Sequence, residues 1–306
     1  MTGSPMTGVA LTIGNFDGVH CGHQALIRRV VELARANRWR SGAVTFDPHP
    51  TKVLAPGRAP KLLMTLAERT LVMGHYGIQE VFPIPFTPQL SALSPEQFVA
   101  EILIRQLNAK AVVVGDNFRF GNKQAGDVKM LTELGKRYGF LTEVVGAVTV
   151  RGHVASSSAV RNLLAEGEVS QACRLLNRPY ELQGEVASGH GIGSKQTVPT
   201  LNMDTAAEVL PAMGVYITST VLPGQAEALA SITNIGMRPT FNGDRLTIET
   251  YLLDPFSGQP EALAVRFHRR VRAERKFASV EELKKQILLD AGRAQTYWRR
   301  RRGAVR

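Results

Sequence analysis

Hydrophobic and polar positions fall into two textures along the chain. Up to about residue 180, short apolar runs alternate with segments whose apolar residues recur at three and four positions. The run Val9-Ala10-Leu11-Thr12-Ile13 predicts a buried strand, and residues 24–34, with helical spacing of Leu26, Ile27, Val30 and Leu33, predict a helix. Strands over 41–46, 80–85, 109–115 and 141–145 continue the pattern, interleaved with helices over 66–76, 94–107 and 127–138. Pro83 and Pro85 push the strand over 80–85 toward a sheet edge. Ser94 suits an N-cap, Pro95 the first helical position and Glu96 the first turn. Strand–helix alternation of this kind predicts a parallel sheet covered on both faces. Two further helices, over 156–164 and 170–176, follow. Beyond them the pattern becomes short strands and glycine turns, over 180–186, 214–221, 228–235, 246–253 and 262–271, which predicts an antiparallel barrel. A final amphipathic helix over 280–291 places Val280, Leu283, Ile287 and Leu288 on one face. The expected organisation is an α/β domain over 8–180 and a barrel domain with a C-terminal helix over 181–306.

Composition narrows the class. The chain has 306 residues, 44% hydrophobic and 21% charged, ordinary values for a globular protein. No apolar run is long enough to cross a bilayer, and residues 1–8 lack a basic-then-apolar leader, so the expected location is the cytoplasm, with no membrane partner. Cys21 and Cys173 are far apart and match neither a disulfide framework nor a metal-ligand spacing. A net charge of +11 suits anionic partners: nucleic acid, anionic lipid or phosphorylated small molecules. Part of the charge is the run Arg299-Arg300-Arg301-Arg302 behind Tyr297-Trp298, which reads as a solvated helix end or as an RNA-binding tail. No stacking motif supports the RNA reading, and phosphorylated small molecules are the expected partners. No motif bears on oligomeric state.

Candidate chemistry begins where the first strand meets the first helix, at Gly14-Asn15-Phe16-Asp17-Gly18-Val19-His20-Cys21-Gly22-His23. Ligands of open α/β sheets bind outside the carboxyl ends of the strands, and a helix start there offers free N–H groups to an anion. His20-Cys21-Gly22-His23 matches the H-x-G-H pattern of the nucleotidyltransferase superfamily. Gly22 lets a nucleotide approach the backbone, and His20 and His23 can stabilise charge developing on an α-phosphate. Ser156-Ser157-Ser158-Ala159-Val160-Arg161 resembles the second signature of that superfamily, a hydroxyl cluster and an arginine for the β- and γ-phosphates, although a triple serine also suits a plain N-cap.

Four stretches then carry a more specific likeness: Gly14 to His20, Thr45-Phe46-Asp47-Pro48-His49-Pro50, Gly115-Asp116-Asn117-Phe118-Arg119-Phe120-Gly121 and Leu176-Asn177-Arg178-Pro179-Tyr180. In order and spacing they resemble the bacterial bifunctional riboflavin kinase/FMN adenylyltransferase (FAD synthetase) family, over nearly the whole chain. The resemblance implies a nucleotidyltransferase-like, Rossmann-type α/β domain followed by a riboflavin kinase barrel. It implies that Gly14, Asn15, Phe16, Gly22, Asn117, Ser157, Ser158 and Arg161 surround ATP with His20 and His23. It also implies that Phe46, Pro48 and His49 form a flavin-side loop, although Pro-His-Pro also suits a simple rigid turn. Asn117 stands where aspartate is also common, and Ser158 replaces a usual threonine while keeping the hydroxyl.

A second constellation lies in the barrel region. The stretch 184–202 reads as a strand, a glycine-rich loop with Gly189, Gly191 and Gly193, and a Pro199-Thr200-Leu201-Asn202 turn. Glycine-rich loops present N–H groups to phosphates, and this one lacks the Gly-Lys-Ser/Thr ending of a Walker loop. Thr200 and Asn202 alternate, so both oxygens point one way from an extended segment, as ligands for a Mg²⁺ that also holds phosphates. The kinase half of the family usually reads Pro-Thr-Ala-Asn here, and Lys195 stands where the family has an arginine. Asn234-Ile235-Gly236-Met237-Arg238-Pro239-Thr240-Phe241 and Ile248-Glu249-Thr250-Tyr251 match two further family signatures. They imply that Glu249 is the general base on the ribityl hydroxyl, where a lone strand glutamate would otherwise read as an exposed barrel-wall residue. Pro255-Phe256-Ser257-Gly258 lacks the Tyr-Gly often found next in the family. The expected reactions are riboflavin plus ATP to FMN, then FMN plus ATP to FAD and pyrophosphate, with Mg²⁺. The alternative is an adenylyltransferase whose kinase is weakened by the altered glycine loop.

Overall fold

The structure is a computed structural model, described over residues 8–187, 200–225, 227–240, 243–256, 258 and 260–303. Contacts divide the chain into two compact units, Met1–Ser157 and Ser158–Arg306.

The first unit contains β1 (Val9–Ile13), α1 (Cys21–Asn37), β2 (Arg40–Asp47), α2 (Pro50–Leu54), α3 (Leu66–His75), β3 (Glu80–Pro85), α4 (Pro88–Ala92), α5 (Pro95–Gln97), β4 (Ala109–Gly115), α6 (Val128–Tyr138), β5 (Leu141–Val145) and a two-residue hairpin, β6 (Thr149–Val150) and β7 (His153–Val154). The five long strands form a wholly parallel sheet in the order β3-β2-β1-β4-β5. The proline-bearing β3 lies at one edge, where a missing N–H costs no ladder bond. The central β1 is buried along its whole length because both faces of the sheet are covered. Val9, Leu11 and Ile13 pack with Phe98, Leu103 and Leu131 on one side, while Ala10 packs with Ile27, Val30 and Met73 on the other. Strand order reverses between β1 and β4, so a crevice for a ligand opens at their carboxyl ends. The helix begun by Ser94 and Gln97, a reciprocal capping box, continues as wider π turns over Phe98–Gln106. Arg29 of α1 holds Glu143 of β5 through two bonds of 2.5 and 2.8 Å, fixing the helix against the far side of the sheet.

The second unit contains α7, which runs over Ser157–Ala165 from the boundary, α8 (Val169–Leu176), β8 (Tyr180–Val186), β9 (Leu201–Asp204), β10 (Gly214–Val221), β11 (Leu229–Thr240), β12 (Gly243–Leu252), β13 (Ala262–Ala273) and α9 (Val280–Gly303). The six strands close into a barrel in the order β10-β11-β12-β9-β8-β13, all antiparallel. Helix α8 packs on β8 and β13, and contacts therefore group it with the barrel although it precedes residue 180. Helix α9 lies over Val215, Ile217 and Ile232 through Ala294, Tyr297 and Trp298. It runs twelve residues beyond 291, because Ala294, Tyr297 and Trp298 extend its apolar face onto the barrel while the arginines around them stay on the helix.

One row of buried barrel positions is hydroxylic rather than apolar. Thr220, Ser231, Thr218, Thr233 and Thr250 form a continuous chain of hydrogen bonds of 2.8–2.9 Å. All five are fully buried, so each hydroxyl is satisfied by its neighbour across the strands. Nearby, His268 bonds Ser219 Oγ at 2.9 Å and meets the Trp298 ring edge-on. Burial, then the charges of Arg301 and Arg266, push its pKa down to about 4. The unfolded chain therefore binds a proton that the folded one refuses, and stability is expected to fall as pH drops from about 6.5 toward 4. Denaturant melts across that window should show a shallower pH slope for His268→Gln.

Candidate active sites

The segment between β1 and α1 is tightly wound. Phe16 (φ 50°), Gly18 (φ 80°) and Val19 (φ 41°) all adopt left-handed backbone. For a β-branched residue such as Val19 this conformation is strained by about 1–2 kcal/mol, so the surroundings must enforce it. Phe16 and Val19 are fully buried, and the Val19 carbonyl accepts a 2.8 Å bond from Gln24 Nε2. The wound loop delivers His20 to the N-cap of α1, where its Nδ1 accepts from the His23 backbone N–H at 3.4 Å. With Nδ1 accepting, the proton of the neutral ring sits on Nε2. The His20 and His23 rings stack at 3.7 Å between centroids, and Phe16 meets His23 at 5.1 Å. Burial, and then electrostatic repulsion from the stacked His20, which would oppose a second proton on the pair, lower the His23 pKa well below the usual histidine range, so His23 is a neutral imidazole at neutral pH. Its Nδ1 is buried without a hydrogen-bond partner among the described residues. Gly22 suits a close approach: a Cβ there would stand 3.1 Å from the His20 ring and 3.3 Å from the Ala155 carbonyl, tighter than ordinary contact.

Two further groups bind the loops together. Asp17, 2% exposed, accepts from the backbone N–H of Leu63 at 2.9 Å and Met64 at 3.2 Å through one carboxylate oxygen. Its carbonyl accepts from Ser157 Oγ at 2.8 Å, which brings the second hydroxyl signature beside the histidine loop. Arg69 of α3 is 1% exposed and donates to the carbonyls of Asn15 and Phe46, both at 3.0 Å, with Asp47 at 3.7 Å. Arg69 thus ties the loop after β1 to the end of β2. Sequence reasoning missed it, because an arginine within a ten-residue amphipathic helix reads as a surface cation. Arg69→Met is expected to cost about 2–4 kcal/mol of stability in denaturant melts, since both carbonyls lose a charged donor in a buried setting.

Asn15 lies 2.9 Å from His49 Nε2, and the other ring nitrogen of His49 caps α2 by accepting from Thr51 N–H at 3.2 Å. The Pro48-His49 turn and Phe46 therefore join Gly14, Asn15 and Phe16 at one end of the sheet. Asn117 lies just after β4, in the turn closed by Phe118 N–H on the Gly115 carbonyl at 3.1 Å. Ser158 and Arg161 belong to the second unit, near the start of α7, where Arg161 reaches Ser158 Oγ at 3.5 Å.

In the barrel, closure brings together residues far apart in sequence. Glu249 of β12 pairs in register with Asn202 of β9 on one side and with Asn234 of β11 on the other. The three positions form one row across three strands, and directly opposed residues of antiparallel strands share a face. Glu249 and Asn202 are half-buried, and Thr200, one residue before β9, is exposed. At Gly236 a Cβ would collide with Glu274 Oε1, which accepts from Met237 N–H at 3.0 Å, so the glycine admits the carboxylate that anchors this strand. Gly189, Gly191, Gly193 and Lys195 lie outside the described residues. The oxygens of Thr200, Asn202 and Glu249 are hard donors of the type that suits a divalent cation carried in on phosphates.

Comparison with known proteins divides the chain between two family models. The FAD synthetase family model matches residues 4–159 and the riboflavin kinase family model residues 176–298. A curated bifunctional riboflavin kinase/FMN adenylyltransferase from Pseudomonas fluorescens is 38% identical over 94% of this chain and 92% of its own. The protein of that name from Escherichia coli K12 is 34% identical over 96% and 94%. The chain belongs to the bifunctional riboflavin kinase/FMN adenylyltransferase family. Among solved structures, one described as a macrolide-efflux protein from Streptococcus pneumoniae is 26% identical, with a TM-score of 0.84 over 96% of this chain and 95% of its own. Among the described residues of this family member, no helix is long and apolar enough to cross a membrane.

Proposed function

We propose that the chain phosphorylates riboflavin with ATP in the barrel and adenylylates the resulting FMN in the α/β domain, releasing FAD and pyrophosphate. The observation that carries the reading is the match to bifunctional relatives over nearly the whole chain, with an FAD synthetase model and a riboflavin kinase model on successive stretches. The catalytic modules are taken as 8–180 and 181–306. The relatives are named bifunctional and match 94% and 96% of this chain, which favours two live activities over a weakened kinase. Residues 188–199, which hold the altered glycine loop behind that alternative, lie outside the described residues.

In the kinase step Glu249 takes the proton from the ribityl hydroxyl as that oxygen bonds to the γ-phosphorus and the bond to ADP breaks. Thr200 and Asn202 orient the phosphates, together with Mg²⁺, which when bound neutralises phosphate charge. In the adenylyl step an FMN phosphate oxygen bonds to the α-phosphorus of ATP and the bond to pyrophosphate breaks. His20 directs Nε2–H at the developing charge, and neutral His23 offers a hydrogen bond without the desolvation cost of a buried cation. Asn117, Ser157, Ser158 and Arg161 receive the triphosphate, and Phe46, Pro48 and His49 lie on the flavin side. ATP as shared substrate suits the cytoplasm.

The direct test is incubation with riboflavin, ATP and Mg²⁺, with flavins resolved by chromatography. FMN followed by FAD and pyrophosphate is the expected course, both steps stopping with EDTA and resuming with added Mg²⁺. FAD from supplied FMN but none from riboflavin would restrict the activity to adenylyl transfer.

A further inference from the structure

The outer wall of the barrel carries a cationic groove that neither proposed reaction uses. It is a concavity of about 710 Å³ between β13 and the last turns of α9, and its lining includes Arg269, Arg270, Arg293, Arg300, Arg301 and Tyr297. None of Thr200, Asn202 or Glu249 lines it. Arginines at the end of α9 suit the negative end of the helix dipole, but that does not account for two from a strand. Neighbouring strand residues normally face opposite sides of a sheet. Here the β10–β13 register shifts twice, between Val215 and Tyr216 and between Ile217 and Thr218, on either side of the pairs that hold Arg270 and Arg269. Irregularities of this kind re-aim side chains, and both arginines line the same groove.

The cations are poorly compensated. Asp290 is committed to Arg272 at 2.7 Å and stands 3.7 Å from Arg293. Arg270 donates to the carbonyls of Glu166 at 3.2 Å and Met213 at 2.7 Å, groups without net charge, and its buried Nε has no partner among the described residues. Arg301 donates to the Tyr297 hydroxyl at 2.8 Å. The exposed side chains of Arg269 and Arg300 make neither a hydrogen bond nor an ion pair among the described residues. Guanidinium groups that line one groove repel one another unless an anion with several oxygens bridges them, and their planar forks match phosphate geometry.

We infer that this groove is a binding site for di- and triphosphate groups, separate from the two reaction sites. The volume takes a nucleotide-sized anion. Nucleic acid is disfavoured because Tyr297 and Trp298, the aromatic residues at hand, are half-buried against the barrel and present no stacking platform.

Trp298 lies beside the groove, and the chain has only two tryptophans, so Trp39→Phe leaves it as the sole reporter. Full-length Trp39→Phe protein in EDTA is titrated with tripolyphosphate and, separately, with ATP, following tryptophan emission. A saturable change is expected, weakened at least about ten-fold when Arg269→Gln and Arg300→Gln are added, since each removes charged hydrogen bonds. Equal affinities would assign the site to bare polyphosphate, and tighter ATP binding to nucleotides; either supports the proposal. FAD formation from riboflavin by the double variant should equal that of its parent, which checks folding. No saturable change, or a titration unaltered by the two substitutions, would overturn the proposal. Tighter binding of a single-stranded oligonucleotide, increasing with its length, would overturn it in favour of nucleic acid.

Discussion

Glu249→Gln is expected to lower FMN formation from riboflavin by roughly 10²–10⁴-fold, the span of general-base catalysis, while adenylylation of supplied FMN continues at the parental rate. Glutamine preserves the length of the side chain and its hydrogen-bonding oxygen but cannot accept the ribityl proton at neutral pH. The register of the barrel makes this substitution mild for the fold: Glu249 is half-buried, between Asn202 and Asn234, while the neighbouring Thr250 belongs to the buried hydroxyl chain. A loss confined to kcat for phosphorylation marks a group that acts in the transition state, whereas a rise in KM alone would mark a binding role. Retention of FMN formation within about ten-fold of wild type would remove Glu249 from the base assignment.

Periodicity carried most of the first unit. The parallel sheet follows from runs such as Val9 to Ile13, because a strand covered on both faces needs apolar residues at every position. The barrel was legible as short strands, yet its interior was not, since Thr218, Ser231, Thr233 and Thr250 carry no apolar signal and are satisfied only when closure lets them bond one another. Likewise β9 is too short to carry a pattern, and the alignment of Asn202 with Glu249 exists only once β12 has paired with it. The histidine motif was legible by spacing. The helix start three residues earlier than apolar spacing implied was not, because His20 is an unusual N-cap and Cys21 to His23 carry no helical stripe. Arg69 and Asp17 were invisible for a related reason: their partners are backbone groups of distant loops, which no side-chain pattern encodes.

His23→Ala is expected to reverse the Glu249 phenotype, accumulating FMN from riboflavin while FAD formation falls by roughly 10²–10³-fold, the loss typical of one oxyanion donor. His23 is set into its place by three contacts, the stacked His20 ring, the Phe16 ring and its own backbone N–H on His20 Nδ1. A buried Nδ1 with no partner among the described residues is costly unless a ligand supplies one, and a phosphate oxygen can do so. Because burial and His20 hold its pKa well below the usual range, the ring stays neutral through the ordinary histidine titration. Adenylyl transfer should therefore show no loss attributable to His23 protonation as pH falls through 6.5. The alanine also removes the ring stacked on His20, so His23→Asn separates the two effects: it keeps a short hydrogen-bonding group and should recover part of the rate if donation to the phosphate is what matters. Unaltered FAD synthesis in His23→Ala would make the adenylyltransferase assignment of this loop wrong. Equal loss of both activities would instead mark His23 as a prop of the fold, since the residues proposed for the kinase step belong to the other unit.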